Sequence, residues 1–380
     1  MGRWMHINIF DSGLNGRTGH HFDFCLSIGK RLALRGHTVG VWGGRDAEPG
    51  LTEAFASAGC NFAQLFTHIP IALNEGQVPT FGQIEAIATQ TAAQLRSAVP
   101  TGLDFFPTLK PTEFLAYSHA EPAGRMVGMV HTLPGIHSTY SSTIWATACA
   151  NAARRGLNVR LGVLEPLLGD FLRTYSDQLP IEPAPFPLDG TSRPGDAARP
   201  ALRPQCIGFF GNQRDERGLD VIAPLAQRLL ADGYRVVVHD TRGQFNTNGA
   251  NPNLRVLDGF IPDLAAVMAQ CDVIVCPVRW ESYALRPSGI VAMSIACGVP
   301  CIVASGTLSA ATYYQHGSMV CYQELGVDGI MQAIERLAAD YPRIAGCARD
   351  AAQFWRATHG VDRAVDWILS PESRYENEKQ

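Results

Sequence analysis

Residues 205–220 read Q-C-I-G-F-F-G-N-Q-R-D-E-R-G-L-D. The apolar run Gln205–Phe210 has the length and composition of a buried strand. It stops at Gly211, passes through a charged loop and enters Leu219–Ala231, where apolar residues recur at helical spacing. Arg235–His239 is the next strand. Strand, helix and strand in such short order imply a crossover connection and a parallel sheet.

The same rhythm continues in both directions. Downstream, Leu254–Leu257, Val273–Cys276 and Cys301–Ala304 are strands and Gly289–Ala296 is a helix. Upstream, Pro180, Pro183, Pro185, Pro187, Pro194, Pro200 and Pro204 interrupt the pattern, as in an interdomain linker. Before that break, Met5–Phe10 is a strand. Phe22, Cys25, Leu26, Gly29 and Leu32 then mark a helix, Gly36 ends it, and Thr38–Trp42 is a strand. Leu103–Phe106, Met126–Val130 and Val159–Val163 read as further strands, and Ala146–Arg155 and Leu167–Tyr175 as helices. The expected fold is α/β, with two Rossmann-like doubly wound domains facing an interdomain cleft. The expected boundaries are 1–185, a linker over 186–203, a second domain over 204–345, and a C-terminal piece, 346–380. In that piece one helical stretch, Cys347–Leu369, continues the second domain or crosses back to the first, and Arg374–Gln380 is a polar tail.

With 380 residues the chain exceeds one ordinary core, and 46% hydrophobic against 17% charged residues excludes wholesale disorder. The formal net charge of -4 leaves no electrostatic footprint for a nucleic-acid partner. The ten cysteines form no C-x-x-C, no Cys/His cluster has zinc-ligand spacing, and no metal site is expected. No leader pattern opens the sequence, and no apolar stretch reaches the about 18 residues a membrane span needs. The expectation is a cytoplasmic protein, with peripheral membrane contact compatible wherever an acceptor sits in lipid.

Four segments carry chemistry. The first is Asp11–His21, D-S-G-L-N-G-R-T-G-H-H, between the first strand and helix. Its spacing is G-x-x-G-x-x-G. Gly16, Gly19 and His20 there suit an acceptor loop, since glycine admits close backbone approach and the helix start offers free N–H groups. The second is the loop Gly211–Asp220, which sets Arg214 and Arg217 where a diphosphate needs fixed positive donors. The third is P-V-R-W-E-S-Y-A-L-R-P-S-G, 277–289, with Glu281, Tyr283, Arg286, Ser288 and Gly289; Pro287 suits a first helical turn and Ser288 a cap or phosphate contact. The fourth is His131, at a strand end in G-M-V-H-T-L-P-G. Each has a plainer alternative: a permissive turn, a solvated charged turn, an ordinary capped helix and a structural histidine.

The order of the glycine-rich loop, the G-H-T-V before the second strand, the E-R-G-L-D loop and S-G-I-V-A-M-S-I-A-C-G-V-P-C-I-V-A-S resembles GT-B glycosyltransferases of the family 4 type over nearly the whole chain. The resemblance implies that Arg217 stands for the loop lysine that contacts the donor diphosphate, while Asn212 replaces an arginine for which Arg214 compensates. It implies that His131 contacts the transferred sugar, and that the backbone of Gly259 and Phe260 meets the nucleotide base. It departs where paired glutamates are usual: Leu285 and Met293 stand there, and Glu281 lies four residues early. The implied activity is glycosyl transfer from a nucleotide sugar, as donor substrate and with no further cofactor, to a glycan, lipid-linked or small-molecule acceptor. Metal independence follows from the lack of a D-x-D pair at a strand end, and the resemblance favours retention of configuration. A non-catalytic nucleotide-sugar-binding chain and a nucleotide-sugar epimerase of the same fold are the alternatives.

Overall fold

In the computed structural model the described residues are 4–17, 19–67, 80–120, 122, 124–131, 139–174, 179–191, 202–245 and 251–371. The chain divides into two compact units, Met1–Pro187 with Val361–Gln380, and Leu188–Gly360.

The first unit opens with β1 (His6–Phe10), α1 (His20–Leu34), β2 (Thr38–Gly44), α2 (Gly50–Ser57) and β3 (Asn61–Phe66). It continues with α3 (Phe81–Ser97), β4 (Leu103–Phe106), α4 (Pro111–Ala120), β5 (Arg125–Val130), α5 (Thr139–Arg154), β6 (Val159–Val163), α6 (Pro166–Arg173) and β7 (Ile181–Pro183). Its strands pair in the order β3-β2-β1-β4-β5-β6-β7, all parallel. Helices must cover both faces of such a sheet, so its central strands are mostly apolar, and the buried Asn8 of β1 donates to the buried Asp104 of β4. Ile7 and Ile9 of β1, Leu103 and Phe105 of β4 and Met126 and Val127 of β5 are essentially inaccessible. Gly36, at φ +86°, gives α1 its abrupt end.

The second unit runs β8 (Cys206–Phe209), α7 (Leu219–Ala231), β9 (Arg235–His239), β10 (Leu254–Leu257), α8 (Leu264–Met268), β11 (Val273–Val275), α9 (Trp280–Tyr283) and α10 (Gly289–Ala296). Then come β12 (Cys301–Ala304), α11 (Leu308–Tyr313), β13 (Met319–Tyr322), α12 (Val327–Ala339) and α13 (Tyr341–Thr358). The parallel order is β10-β9-β8-β11-β12-β13. Its core joins Ile207, Leu225, Leu229, Val238, Val273, Ile302, Ile334 and Leu337. Each such side chain contributes about 1.5–3 kcal/mol on burial.

The helical stretch expected over Cys347–Leu369 is two helices. Gly360, at φ +99°, breaks it after α13, and α14 (Val361–Leu369) packs in the first unit. Arg35 pairs with Asp362 at 2.9 Å and Asp366 at 2.5 Å, fixing α14 to α1. Part of the proline-rich stretch is also ordered structure. Ile181–Pro183 pairs with β6 as an edge strand, where the missing N–H of Pro183 is tolerated. Residues 192–201 of the expected linker and the tail Arg374–Gln380 lie outside the described residues. No helix among the described residues is long and apolar enough to cross a membrane.

Candidate functional site

Within each unit the strand order reverses beside its first strand, between β1 and β4 and between β8 and β11. In doubly wound sheets, ligands bind beyond the carboxyl ends of the strands at that point. In the second unit a pocket lies there, lined among others by Gly211, Gln213, Arg217, His239, Cys276 and Ser288.

The pocket is built by two loops that lock together. The loop after β8 turns at Gly211, φ +95°, where a side chain would collide with the Arg217 guanidinium and Ile290. A 3-10 turn, Asp215–Arg217, then leads through Gly218, at φ +62°, into α7. The loop after β11 is held from below by the buried Tyr322, whose hydroxyl donates to the carbonyls of Cys276 (3.2 Å) and Val278 (2.7 Å). Arg279 N donates to the Glu216 carbonyl at 2.9 Å, and the Arg279 side chain reaches the Asp215 carbonyl and Asp220. Arg217 Nε donates to the buried Tyr283 hydroxyl at 2.8 Å, which fixes the direction of the guanidinium. No carboxylate pairs with Arg217 among the described residues. Ser288 caps α10, accepting from Val291 N at 3.4 Å, and its own N–H donates to Ser309 Oγ. A fixed, partly buried cation and a helix start on one rim favour an anion. Burial pushes the Cys276 thiol up to about 12, so the pocket floor adds no negative charge.

The residues singled out in the sequence divide at this pocket. Gly211, Arg217 and Ser288 line it, and Tyr283 holds Arg217. Gly289 opens α10 with free space around it. Arg286 lies over the Tyr283 ring at 5.2 Å. Gly259, at φ +64°, accepts from His239 Nε2 at 2.8 Å, and Phe260 is half exposed beside it in sequence. Arg214 points away: it is exposed, pairs with Glu216 at 3.5 Å and does not line the pocket. Glu281 is exposed on α9, also outside the lining. Pro287 stands one residue before the cap, not in the first helical turn, because Ser288 takes the N-cap. Gln213, His239 and Arg279 carried no signal in the sequence, since their roles depend on loops 20 or more positions apart.

In the first unit, Gly19 at φ +82° precedes α1, and His20 stacks on His131 at 5.5 Å. Gly16 lies against Glu48, whose carboxylate would obstruct a side chain there. Beneath them is a cluster the sequence did not reveal. Asp11 is buried at the end of β1 and accepts from His21 Nδ1 (2.8 Å), Thr108 Oγ1 (2.8 Å) and Gly13 N (2.8 Å). The His21 ring lies on Gly13, where any side chain would strike it. Burial would raise the Asp11 carboxyl, but His21, Lys110 and Thr108 more than reverse this and hold it far below the usual carboxylate range. Lys110 Nζ donates to Ser12 Oγ at 2.9 Å.

His131 Nε2 donates to the Pro107 carbonyl at 2.6 Å, yet burial holds its imidazole down at about 4. The unfolded chain takes up that proton near about 6.5, so between those values it binds more protons than the folded chain. Stability contributed here is present above about 6.5 and lost as pH falls towards 4. His131→Phe should therefore show a smaller drop in Tm between pH 7 and pH 5 than the wild type. Asp23, whose carboxyl desolvation raises to about 6, acts in the opposite direction but in both proteins alike. An unchanged drop would contradict this reading.

Residues 204–340, which contain the whole pocket, match the family model described as glycosyl transferases group 1. No curated protein matches the sequence. Solved structures match over nearly the full length. Sucrose-phosphate synthase from Thermosynechococcus elongatus has a TM-score of 0.66 at 11% identity, over 96% of this chain and 97% of that one. Anabaena HepE in complex with UDP and glucose has a TM-score of 0.65 at 14% identity, over 99% and 100%. The glycotransferase of kitacinnamycin has a TM-score of 0.62 at 18% identity, over 97% and 99%. The chain has the GT-B fold. The match to the glycosyl transferases group 1 model falls in the second unit, and the Arg217–Ser288 pocket lies within the matched residues. The described residues hold no group of three or more His, Cys, Asp or Glu side chains arranged for a metal ion.

Proposed function

We propose that the protein transfers a glycosyl group from a nucleoside-diphosphate sugar of the UDP-sugar class to an acceptor hydroxyl, in glycan or glycoconjugate synthesis. The observation that carries the reading is Arg217: a guanidinium aimed by Tyr283, without a carboxylate partner among the described residues, on the switch-point rim of the unit that carries the glycosyl transferases group 1 match. The UDP seen in the HepE structure supports the choice of nucleotide.

In the reaction the bond between the anomeric carbon and the β-phosphate oxygen breaks, and the acceptor oxygen bonds to that carbon. The acceptor proton is released and the nucleoside diphosphate leaves with the bonding pair. Arg217 and the start of α10 would stabilise the charge that grows on it. This compensation comes from the chain itself, and we read the transfer as metal-independent and, from the family resemblance, as retaining. His131, neutral at pH 7, would meet the sugar as a hydrogen-bonding group and not as a cation.

The test is release of UDP from UDP-glucose by the wild type and Arg217→Ala, each with and without a chelator. The expected result is turnover that survives chelation and falls about 10–100-fold in the variant, the range for losing one charged contact to the leaving group. Loss on chelation, restored by magnesium or manganese, would contradict metal independence. Nucleotide binding without any release would make the chain a binding protein, and interconversion of the sugar without release would make it an epimerase.

A further inference from the structure

Two side chains on the β9 side of the pocket, the buried Gln213 and the half-buried His239, have buried polar atoms unmet. Gln213 is 3% exposed, and neither its Oε1 nor its Nε2 has a hydrogen-bond partner among the described residues. His239 ends β9; its Nε2 bonds the Gly259 carbonyl, and its Nδ1 is buried with no partner among the described residues. Both line the pocket that holds Gly211, Arg217 and Ser288. Buried polar groups are normally satisfied, so two unmet ones in one pocket point to a polar occupant.

The hydrogen-bonding pattern limits what that occupant is. A carbonyl only accepts, so His239 Nε2 carries the hydrogen and Nδ1 is left as an acceptor. Gln213 adds a second acceptor, Oε1, and an amide NH2 with two N–H donors, Nε2. The partner must offer at least two donors and also accept. A uracil edge offers a single N–H. A vicinal diol offers two O–H donors, each of which also accepts.

The placement agrees. β9 is the immediate neighbour of β8, about 4.8 Å away, and the β8 loop carries Arg217. The Gln213 backbone is held there too: its N–H donates to Thr241 Oγ1 at 2.9 Å, and its carbonyl accepts from Arg242 Nε at 3.2 Å. In a nucleotide the ribose directly follows the phosphates. We propose that Gln213 and His239 hold the ribose 2′- and 3′-hydroxyls of the donor, so that this site selects ribonucleotide sugars over 2′-deoxyribonucleotide sugars. The inference rests on the donor reading above.

Calorimetric titration with UDP and 2′-deoxy-UDP tests it, with the GDP and ADP pairs run alongside. The wild type should bind the ribonucleotide about tenfold more tightly, the worth of one hydrogen bond. In the double variant Gln213→Leu/His239→Phe that ratio should fall to about one. In Arg217→Ala both nucleotides should weaken together and the ratio should persist. A wild type that does not discriminate, which is what a bound water satisfying these atoms would give, overturns the proposal without any variant needing to fold. So does an unchanged ratio in the double variant. If no nucleoside diphosphate binds the wild type, the donor reading itself fails and takes this inference with it.

Discussion

Arg160→Ala is expected to destabilise the first unit by about 3–5 kcal/mol, the cost of leaving a buried charge unpaired. Arg160 and Glu182, on neighbouring strands β6 and β7, are 4% and 3% exposed and form an ion pair. Glu182 also accepts from Trp367 Nε1 at 2.5 Å, and Arg160 donates to the Trp367 carbonyl at 2.7 Å while lying 4.6 Å from its ring centroid. Truncating Arg160 therefore strands a carboxylate and loosens α14 at once. Glu182→Gln should also be costly, because the amide oxygen still accepts from Trp367 but the buried Arg160 guanidinium loses its counter-charge. Urea denaturation followed by tryptophan fluorescence checks both. A loss below about 1 kcal/mol for Arg160→Ala, the size of an exposed pair, would show that the cluster is solvated.

That cluster also shows where sequence reading reaches its limit. β1, β2, β8, β9 and β12 are apolar runs bounded by turn residues, so their identity is local and legible. β7 is three residues inside a proline-rich stretch, and only its pairing with β6 makes it a strand. β3, N-F-A-Q-L-F, is a half-exposed edge that lacks a continuous apolar run. α3 could have been found: Thr80-x-x-Gln83 forms a reciprocal capping box, a pattern visible in sequence. At the site, Arg217 and Ser288 were legible because each lies in a strand-to-helix loop. Arg214 was not separable from Arg217 by sequence, since both are loop arginines and only the fold turns one outward to Glu216. Asp11, His21 and Thr108 meet across 97 positions, a proximity that exists only once β1 and β4 pair.

Arg217→Ala should weaken binding of a nucleoside diphosphate by about 1.5–3 kcal/mol, the range for a hydrogen bond to a charged group. The corresponding nucleoside should be almost unaffected. The guanidinium is directed by Tyr283 and crosses over Gly211, so the contact it makes is with whatever lies on the β8–β11 rim. Tyr283→Phe should give a smaller loss of the same kind, because it frees the guanidinium without removing it. Titration of UDP and uridine against the wild type and both variants separates the effects. Equal losses for both ligands would mean a general collapse of the pocket, and no loss for either would mean that Arg217 is not a phosphate ligand.

The most direct test of the donor site is a crystal structure of the protein grown with UDP. The diphosphate oxygens should lie about 3 Å from the Arg217 guanidinium and from the first N–H groups of α10 beyond Ser288. The ribose should face Gln213 and His239. A diphosphate bound in the first unit, or in the second unit away from Arg217 and the α10 start, would contradict the account.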